Sequence, residues 1–195
     1  MDDYAQRALA KWPNVPSLFG WLGLTRKGEW LIQSERITHP RIVDAIARNY
    51  DRDEHGRWFF QNGPQRGYVA LEYTPLVARV QADDSLVAHT GRAIDTADAL
   101  YLDEDSAAVL DTPAGAVLIQ GADLAWVLAR LHPAEGELDD TELERALTLP
   151  GGTRTALTFD FAGQRLPVHR VDAADMAATL GFVAEPEPLA DEAGG

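Results

Sequence analysis

Gly28-Glu29-Trp30-Leu31-Ile32-Gln33-Ser34-Glu35-Arg36-Ile37 returns as Gly115-Ala116-Val117-Leu118-Ile119-Gln120-Gly121-Ala122-Asp123-Leu124. Both copies read Gly-x-x-Leu-Ile-Gln, with an aliphatic residue four places later, and both lead into a helical pattern. A short aliphatic run released by a turn reads as a strand. The echo therefore predicts an α+β fold of two related strand–helix–hairpin units, with mostly antiparallel sheets and short helices.

Working outward from the first copy, Trp21 to Leu24 reads as a strand, Thr25 to Gly28 as a turn, and Glu29 to Gln33 as the returning strand. Thr38 is the expected N-cap of a helix with Pro40 in its first turn. Ile42, Val43, Ile46 and Tyr50 supply that helix with an apolar face. Asp51 to Gly56 is a polar turn, and Arg57 to Gln61 is a strand. Asn62-Gly63 signals a hairpin, because both residues accept positive φ, and Pro64 implies a loop longer than two residues. Arg66 to Tyr73 returns, and Leu76 to Val80 pairs with Leu86 to Thr90.

Around the second copy, strand pieces lie at Ala99 to Leu102 and Ala107 to Leu110. Helices are expected over Asp123 to Leu131 and Asp140 to Leu147. Thr153 to Phe161 and Arg165 to Val171 form a hairpin across Ala162-Gly163-Gln164. Asp172 caps a last helix that Gly181 stops. Gln65-Arg66 follows the first hairpin turn as Gln164-Arg165 follows the second, which extends the echo. The resulting organisation is an N-terminal helix and linker (1–19), a first unit (20–94), a second unit (95–183) and a disordered tail (184–195) that, apart from Leu189, is Pro, Glu, Ala, Asp and Gly.

Composition bounds the function. The chain has 195 residues, 46% of them hydrophobic, which suffices for a buried core. No apolar run approaches the ~20 residues of a membrane helix. Met1-Asp2-Asp3 lacks the basic start of a secretory signal, so a bacterial cytoplasmic location is expected. There is no cysteine, which removes disulfides, thiolate metal sites and cysteine nucleophiles. Net charge is −14, unevenly spread. Residues 1–66 carry ten Lys and Arg against eight Asp and Glu, and residues 67–195 carry seven against twenty-three. Nucleic-acid binding needs a large basic surface and is disfavoured.

The block Arg57 to Arg66 carries the densest chemistry. Trp58, Phe59 and Phe60 should anchor the hairpin on both faces of its sheet. Gln61, Asn62, Gln65 and Arg66 add amide and guanidinium donors suited to a carboxylate, a phosphate or a peptide backbone. The plainer reading is that these residues tie down their own turn and neighbouring carbonyls. His39 at the helix start is either a ligand contact or a structural hydrogen-bonding residue. Asp51-x-Asp53-x-His55-Gly56 has the outline of a calcium loop, but Asn62 stands where the bidentate Glu belongs, so a turn is expected. There is no phosphate loop, dinucleotide fingerprint or Gly-x-Ser-x-Gly elbow, and no cofactor or metal is expected.

The stretch Gly28 to Pro75 resembles an uncharacterised bacterial family of about this length, known as a domain of unknown function. The resemblance is carried by Gly28-Glu29-Trp30, Ile37-Thr38-His39-Pro40, Asn49-Tyr50, Thr74-Pro75 and the block Gly56-Arg57-Trp58-Phe59-Phe60-Gln61-Asn62-Gly63-Pro64-Gln65-Arg66. Gly67 departs from it, since a β-branched strand residue is expected there. Over residues 20–130 the layout is also similar to a second uncharacterised bacterial family of two packed α+β units, for which a signalling role has been suggested. These resemblances imply a fold and a bacterial source, and no chemistry.

The favoured reading is a non-enzymatic binding or signalling module. Its expected surface is His39, Arg57, Gln61, Asn62, Gln65 and Arg66, facing a small anionic ligand, a protein partner or a second copy in a homodimer. One alternative is a small-molecule hydrolase using His39 with Asp53 or Glu54 and Arg66 as an anion clamp. Another is a structural partner protein using the acidic second half.

Overall fold

The computed structural model describes residues 11–12, 16–136 and 138–190; the expected N-terminal helix falls largely outside them. The protein is mixed α+β and mostly sheet, with four short α-helices among the described residues. It divides into two units. The first takes residues up to Pro75, His89–Gly91 and residues from Gly181 onward; the second takes Leu76–Ala88 and Arg92–Leu180.

The first unit holds one six-stranded sheet, ordered β3-β2-β1-β6-β5-β4. Its strands are β1 (Ser17–Leu24), β2 (Trp30–Ile32), β3 (Glu35–Arg36), β4 (Tyr50–Arg52), β5 (Trp58–Asn62) and β6 (Gln65–Leu71). Helix α1 (Pro40–Arg48) joins β3 to β4. Only the central β1–β6 pair is parallel. Side chains alternate across a strand and paired residues share a face. One face therefore carries Leu22, Leu24, Trp30, Ile32, Tyr50, Trp58, Phe60, Val69 and Leu71, all buried. This face and the buried Ile42 and Ile46 of α1 make the core.

Local chemistry explains where the expectations shift. The N-cap of α1 is His39 rather than Thr38, because Pro40 occupies the first helical turn and the cap falls just before it. Tyr50 does not extend the helical face. Asn49 ends the helix, its Nδ2 donating to the Ala45 carbonyl, and Tyr50 pairs with Phe60 as a strand residue. The β5–β6 loop is only two residues long, since Asn62 pairs with Gln65. Gly63 alone takes positive φ (+58°), and Pro64 fits a second turn position of negative φ. Gly67 has a definite reason. A Cβ there would lie 2.7 Å from Cζ2 of Trp12 and 3.0 Å from Leu22 Cδ1, so the indole occupies the space a side chain would need.

Residues 182–190, which composition assigns to the end of the second unit and a tail, are hydrogen-bonded into the first unit. Val183 N–H donates to the Gly56 carbonyl, Leu71 N–H to the Ala184 carbonyl, and the Arg57 guanidinium to the Glu187 carbonyl. Composition does not register such backbone anchors. Gly56, at φ +77°, leaves room for this segment, because a Cβ would stand 2.6 Å from the Gly181 carbonyl oxygen.

The second unit holds a nine-stranded sheet, ordered β13-β14-β15-β10-β11-β12-β7-β8-β9. The strands are β7 (Leu76–Val80), β8 (Leu86–Ala88), β9 (Ala93–Ile94), β10 (Ala99–Leu102), β11 (Ala108–Thr112), β12 (Gly115–Ile119), β13 (Leu131–His132), β14 (Thr153–Phe161) and β15 (Gln164–Arg170). Helix α2 (Leu124–Leu128) follows β12, α3 (Asp140–Leu147) precedes β14, and α4 (Met176–Leu180) follows β15. Helix α2 is shorter than expected. Gly121–Asp123 forms a 3-10 turn before it, and Leu131 already belongs to β13. Asp123 is not a cap by its side chain; its carboxylate accepts from the Val80 N–H at the end of β7.

The order β3-β2-β1-β6-β5-β4 recurs in the second unit as β12-β11-β10-β15-β14-β13. The same backbone bonds recur with it. Thr25 Oγ1 accepts from the Lys27 and Glu29 N–H groups in the β1–β2 turn, as Asp103 Oδ1 accepts from Asp105 and Ala107 in the β10–β11 turn. Leu22 stands beside Val69 in the parallel pair, as Leu100 stands beside Val168. Glu72 N–H donates to the Leu24 carbonyl (2.9 Å), as Val171 N–H donates to that of Leu102 (3.0 Å). Gln61 N–H donates to the Asn49 carbonyl, as Asp160 N–H donates to that of Arg130, both at 2.9 Å.

Candidate functional site

Period-two alternation divides the block that dominates the sequence. Gln61 pairs with Arg66, and Phe59 with Tyr68, on one face of the β5–β6 hairpin. Asn62 pairs with Gln65, and Phe60 with Gly67, on the other face, where the core lies. Residues adjacent in sequence therefore cannot act together here.

On the first face Arg57 is a buried hub. Its Nε donates to Asp53 Oδ2 at 2.8 Å, one terminal nitrogen donates to the Tyr68 hydroxyl at 2.9 Å, and the other to the Glu187 carbonyl at 3.0 Å. Its guanidinium carbon lies 4.4 Å from the centroid of the Tyr68 ring, which stacks on Phe19. Arg57 and Asp53 side chains are 5% and 6% exposed, so this ion pair is interior. Burial opposes ionisation of Asp53. The Arg57 backbone N–H, then the Arg57 guanidinium by hydrogen bond and charge, and the His55 N–H outweigh that opposition, holding the carboxyl below its ordinary value. Gln61 Nε2 closes the turn onto the Gly63 and Gln65 carbonyls at 2.7 and 3.2 Å. Arg66 is exposed, stacked 4.3 Å from the Phe59 centroid, with Nε 3.4 Å from Gln61 Oε1.

On the second face His39 and Asn62 line one cleft of about 330 Å³ with Arg41, Ile42, Ala45, Ile46 and Phe60. Helix α1 supplies the rim residues His39 and Arg41 and the apolar wall, and β5 supplies Phe60 and Asn62. Such a cleft offers a cation, an amide and an imidazole over an apolar floor. Arg41 carried no sequence motif; its one signal was its place in the first turn of an amphipathic helix. Asp53 and Glu54 precede β5, whereas Asn62 ends it. Strand rise puts Arg57 and Asn62 roughly 17 Å apart. Asp53 is occupied by Arg57 and Tyr68, and Glu54 lies 3.8 Å from His55. No three His, Asp or Glu side chains among the described residues are grouped to hold a metal ion.

A second polar group stands in the second unit. Asp84, Arg130, Asp160, Gln164 and Arg165 line a cleft of about 530 Å³, with His132 and Trp126 bound to its carboxylates. Gln164 and Arg165 stand out in the sequence only as part of the echo, and the other residues come from scattered segments, each unremarkable alone.

Residues 1–187 match the model of the family DUF2944, described as protein of unknown function (DUF2946). The chain belongs to this family. In fold it is similar to a DUF1285 family protein from Silicibacter pomeroyi DSS-3, with a TM-score of 0.53 and 15% identity over 80% of this chain and 83% of that one. A DUF1285 family protein from Shewanella baltica OS155 aligns with a TM-score of 0.42 and 14% identity, over 54% of this chain and 87% of that one. No curated protein matches. Membership in DUF2944 thus assigns no activity. No helix among the described residues is long and apolar enough to cross a membrane.

Proposed function

We propose that this protein is a non-catalytic binding module whose first unit takes a small anionic ligand with an apolar body in the cleft between α1 and the end of the β5–β6 hairpin. The carrying observation is that His39, Arg41 and Asn62 meet around a floor of Ile42, Ala45, Ile46 and Phe60. Arg41 supplies the charge, His39 and Asn62 supply directional contacts, and the floor takes the ligand body. The site keeps only part of the surface expected from the sequence. His39 and Asn62 stay in the site, Gln65 shares their face, and Arg57, Gln61 and Arg66 serve the hairpin itself. A module of this kind acts through a change of partner or assembly, so signalling in a bacterial cytoplasm, with a homodimer as the assembly, is its proposed setting.

We infer also that the two six-strand sets are repeats of one plan. The recurring strand order, turn bonds and parallel register support this reading.

Thermal-shift and calorimetric titration with hexanoate, benzoate and inorganic phosphate test the site. An apolar carboxylate is expected to raise Tm by about 2–4 °C, corresponding to roughly 1 kcal/mol. Arg41→Ala and Asn62→Ala should abolish that shift, and Arg66→Ala, on the opposite face, should keep it. Equal responses from the Arg41 and Arg66 variants would refute the site.

A further inference from the structure

Separate segments of the second unit bring charge to one end of the β14–β15 hairpin. Asp84 comes from the β7–β8 turn, Trp126 from α2, Arg130 from the residue before β13, His132 from β13, Asp160 from β14 and Arg165 from β15. They pair in alternation. The Trp126 indole donates to Asp84 at 2.8 Å, and Arg130, stacked 4.1 Å over the Trp126 ring, pairs with the same carboxylate. His132 Nε2 meets Asp160 Oδ2 at 2.8 Å, and Arg165 Nε donates to Asp160 Oδ1 at 3.0 Å.

The frame does not need these charges. At the corresponding places the first unit closes its hairpin with Gln61 for Asp160, and carries Asn49 for Arg130 and Asp51 for His132. Asp84 is conspicuous for its backbone. Its φ of +71° is a left-handed conformation that Asp tolerates better than most side-chain-bearing residues, and the matching positions of the other three-residue hairpin turns hold Gly28, Gly56, Gly91 and Ser106. At Asp84 a carboxylate sits there and reaches Trp126 and Arg130.

We propose that this cleft binds a small zwitterion, a free α-amino acid by class. Two guanidinium groups and two carboxylates, each paired with a group of the other sign, leave the site close to neutral. A ligand that is itself neutral with separated charges complements it. A simple anion does not, because residues 67–195 hold seven basic against twenty-three acidic residues. Arg165, 61% exposed, takes the ligand carboxylate. Asp84, 62% exposed, takes the ammonium. The cleft of about 530 Å³ accommodates an amino acid with its side chain.

Calorimetric titration of the full chain with the free amino acids, alongside acetate, inorganic phosphate and methylammonium, tests this. At least one amino acid should bind with Kd below about 1 mM. Arg165→Gln and Asp84→Asn should each weaken it about tenfold or more, and Arg41→Ala should leave it unchanged. The single-pole probes should give no binding heat that Arg165→Gln removes. No heat from any amino acid at about 10 mM would overturn the proposal. So would affinity indifferent to both substitutions, binding lost in Arg41→Ala, or acetate or phosphate binding as tightly as the amino acid. The last result would make the cleft a plain anion site.

Discussion

Arg57 gathers three segments of the first unit: the β4–β5 turn through Asp53, β6 through Tyr68, and the C-terminal segment through Glu187. A buried pair is costly to break from one side, because the remaining charge has no water to solvate it. Arg57→Met should therefore destabilise the protein by roughly 3–5 kcal/mol, measured as the loss in unfolding free energy by urea titration. The pH dependence follows from Asp53. Its folded-state pKa lies below the ordinary 3.8, so the unfolded chain takes up this proton first as pH falls. The stabilisation is complete above the unfolded value and is lost as pH drops through the folded one. Urea midpoints measured downward from about pH 5 should fall below about pH 4, less steeply in Arg57→Met. Gly67 poses a steric case. Gly67→Val should cost about 1–3 kcal/mol or more by displacing Trp12, and the penalty should shrink when measured in a Trp12→Ala background.

At the scale of elements, legibility tracked how local the cause was. Helix α3 over Asp140–Leu147 and strand β14 over Thr153–Phe161 match the sequence reading residue for residue. In the first, Asp139 accepts from the Glu142 N–H as a cap; in the second, inward and outward positions alternate. Strand β3 was not legible. Glu35 and Arg36 are both exposed, and the turn before β3 places Gln33 and Ser34 at positive φ without a glycine. The echo is a subtler case. Gly28 to Gln33 spans the turn and β2, whereas Gly115 to Gln120 spans β12, which holds the place of β3 in the recurring order. The matched letters thus sit one strand apart, while the recurring bonds align Trp30–Ile32 with β11. The shared letters therefore do not occupy equivalent places in the recurring strand order. For the candidate site, the residue types were readable but their grouping was not. Which strand face meets α1 depends on packing, and that sends Arg66 away from His39. The β14–β15 turn offers a test of hairpin geometry. Ala162, at φ +49° before Gly163, occupies the first position of a two-residue turn that favours Asn. Ala162→Asn should stabilise the protein by about 0.5–1 kcal/mol, read from the shift in urea midpoint at constant slope.

For the molecule as a whole, the chain's course assigns unequal roles to its ends. The second unit is nearly continuous from Arg92 to Leu180, whereas the first is finished by residues from Gly181 onward. The first unit's sheet thus depends on a segment that follows the whole of the second unit in the chain. Phe182 and Pro186 are buried, and three hydrogen bonds anchor the segment: the Val183 N–H on the Gly56 carbonyl, the Ala184 carbonyl on the Leu71 N–H, and the Glu187 carbonyl on Arg57. Removing them strands three buried or half-buried polar groups of the first unit and none that the second unit uses. A chain ending at Gly181 should therefore lose stability in one unit selectively. Native-state hydrogen exchange checks this amide by amide. Protection at Leu71, and at Tyr68 and Phe59 beside the Arg57 hub, should fall by about tenfold or more, for a loss of roughly 1.4 kcal/mol. Protection at Leu100, Val109 and Val168 in the central strands of the second unit should hold. Equal loss at both sets would mean that the segment supports the molecule as one cooperative body, against the division drawn from its contacts.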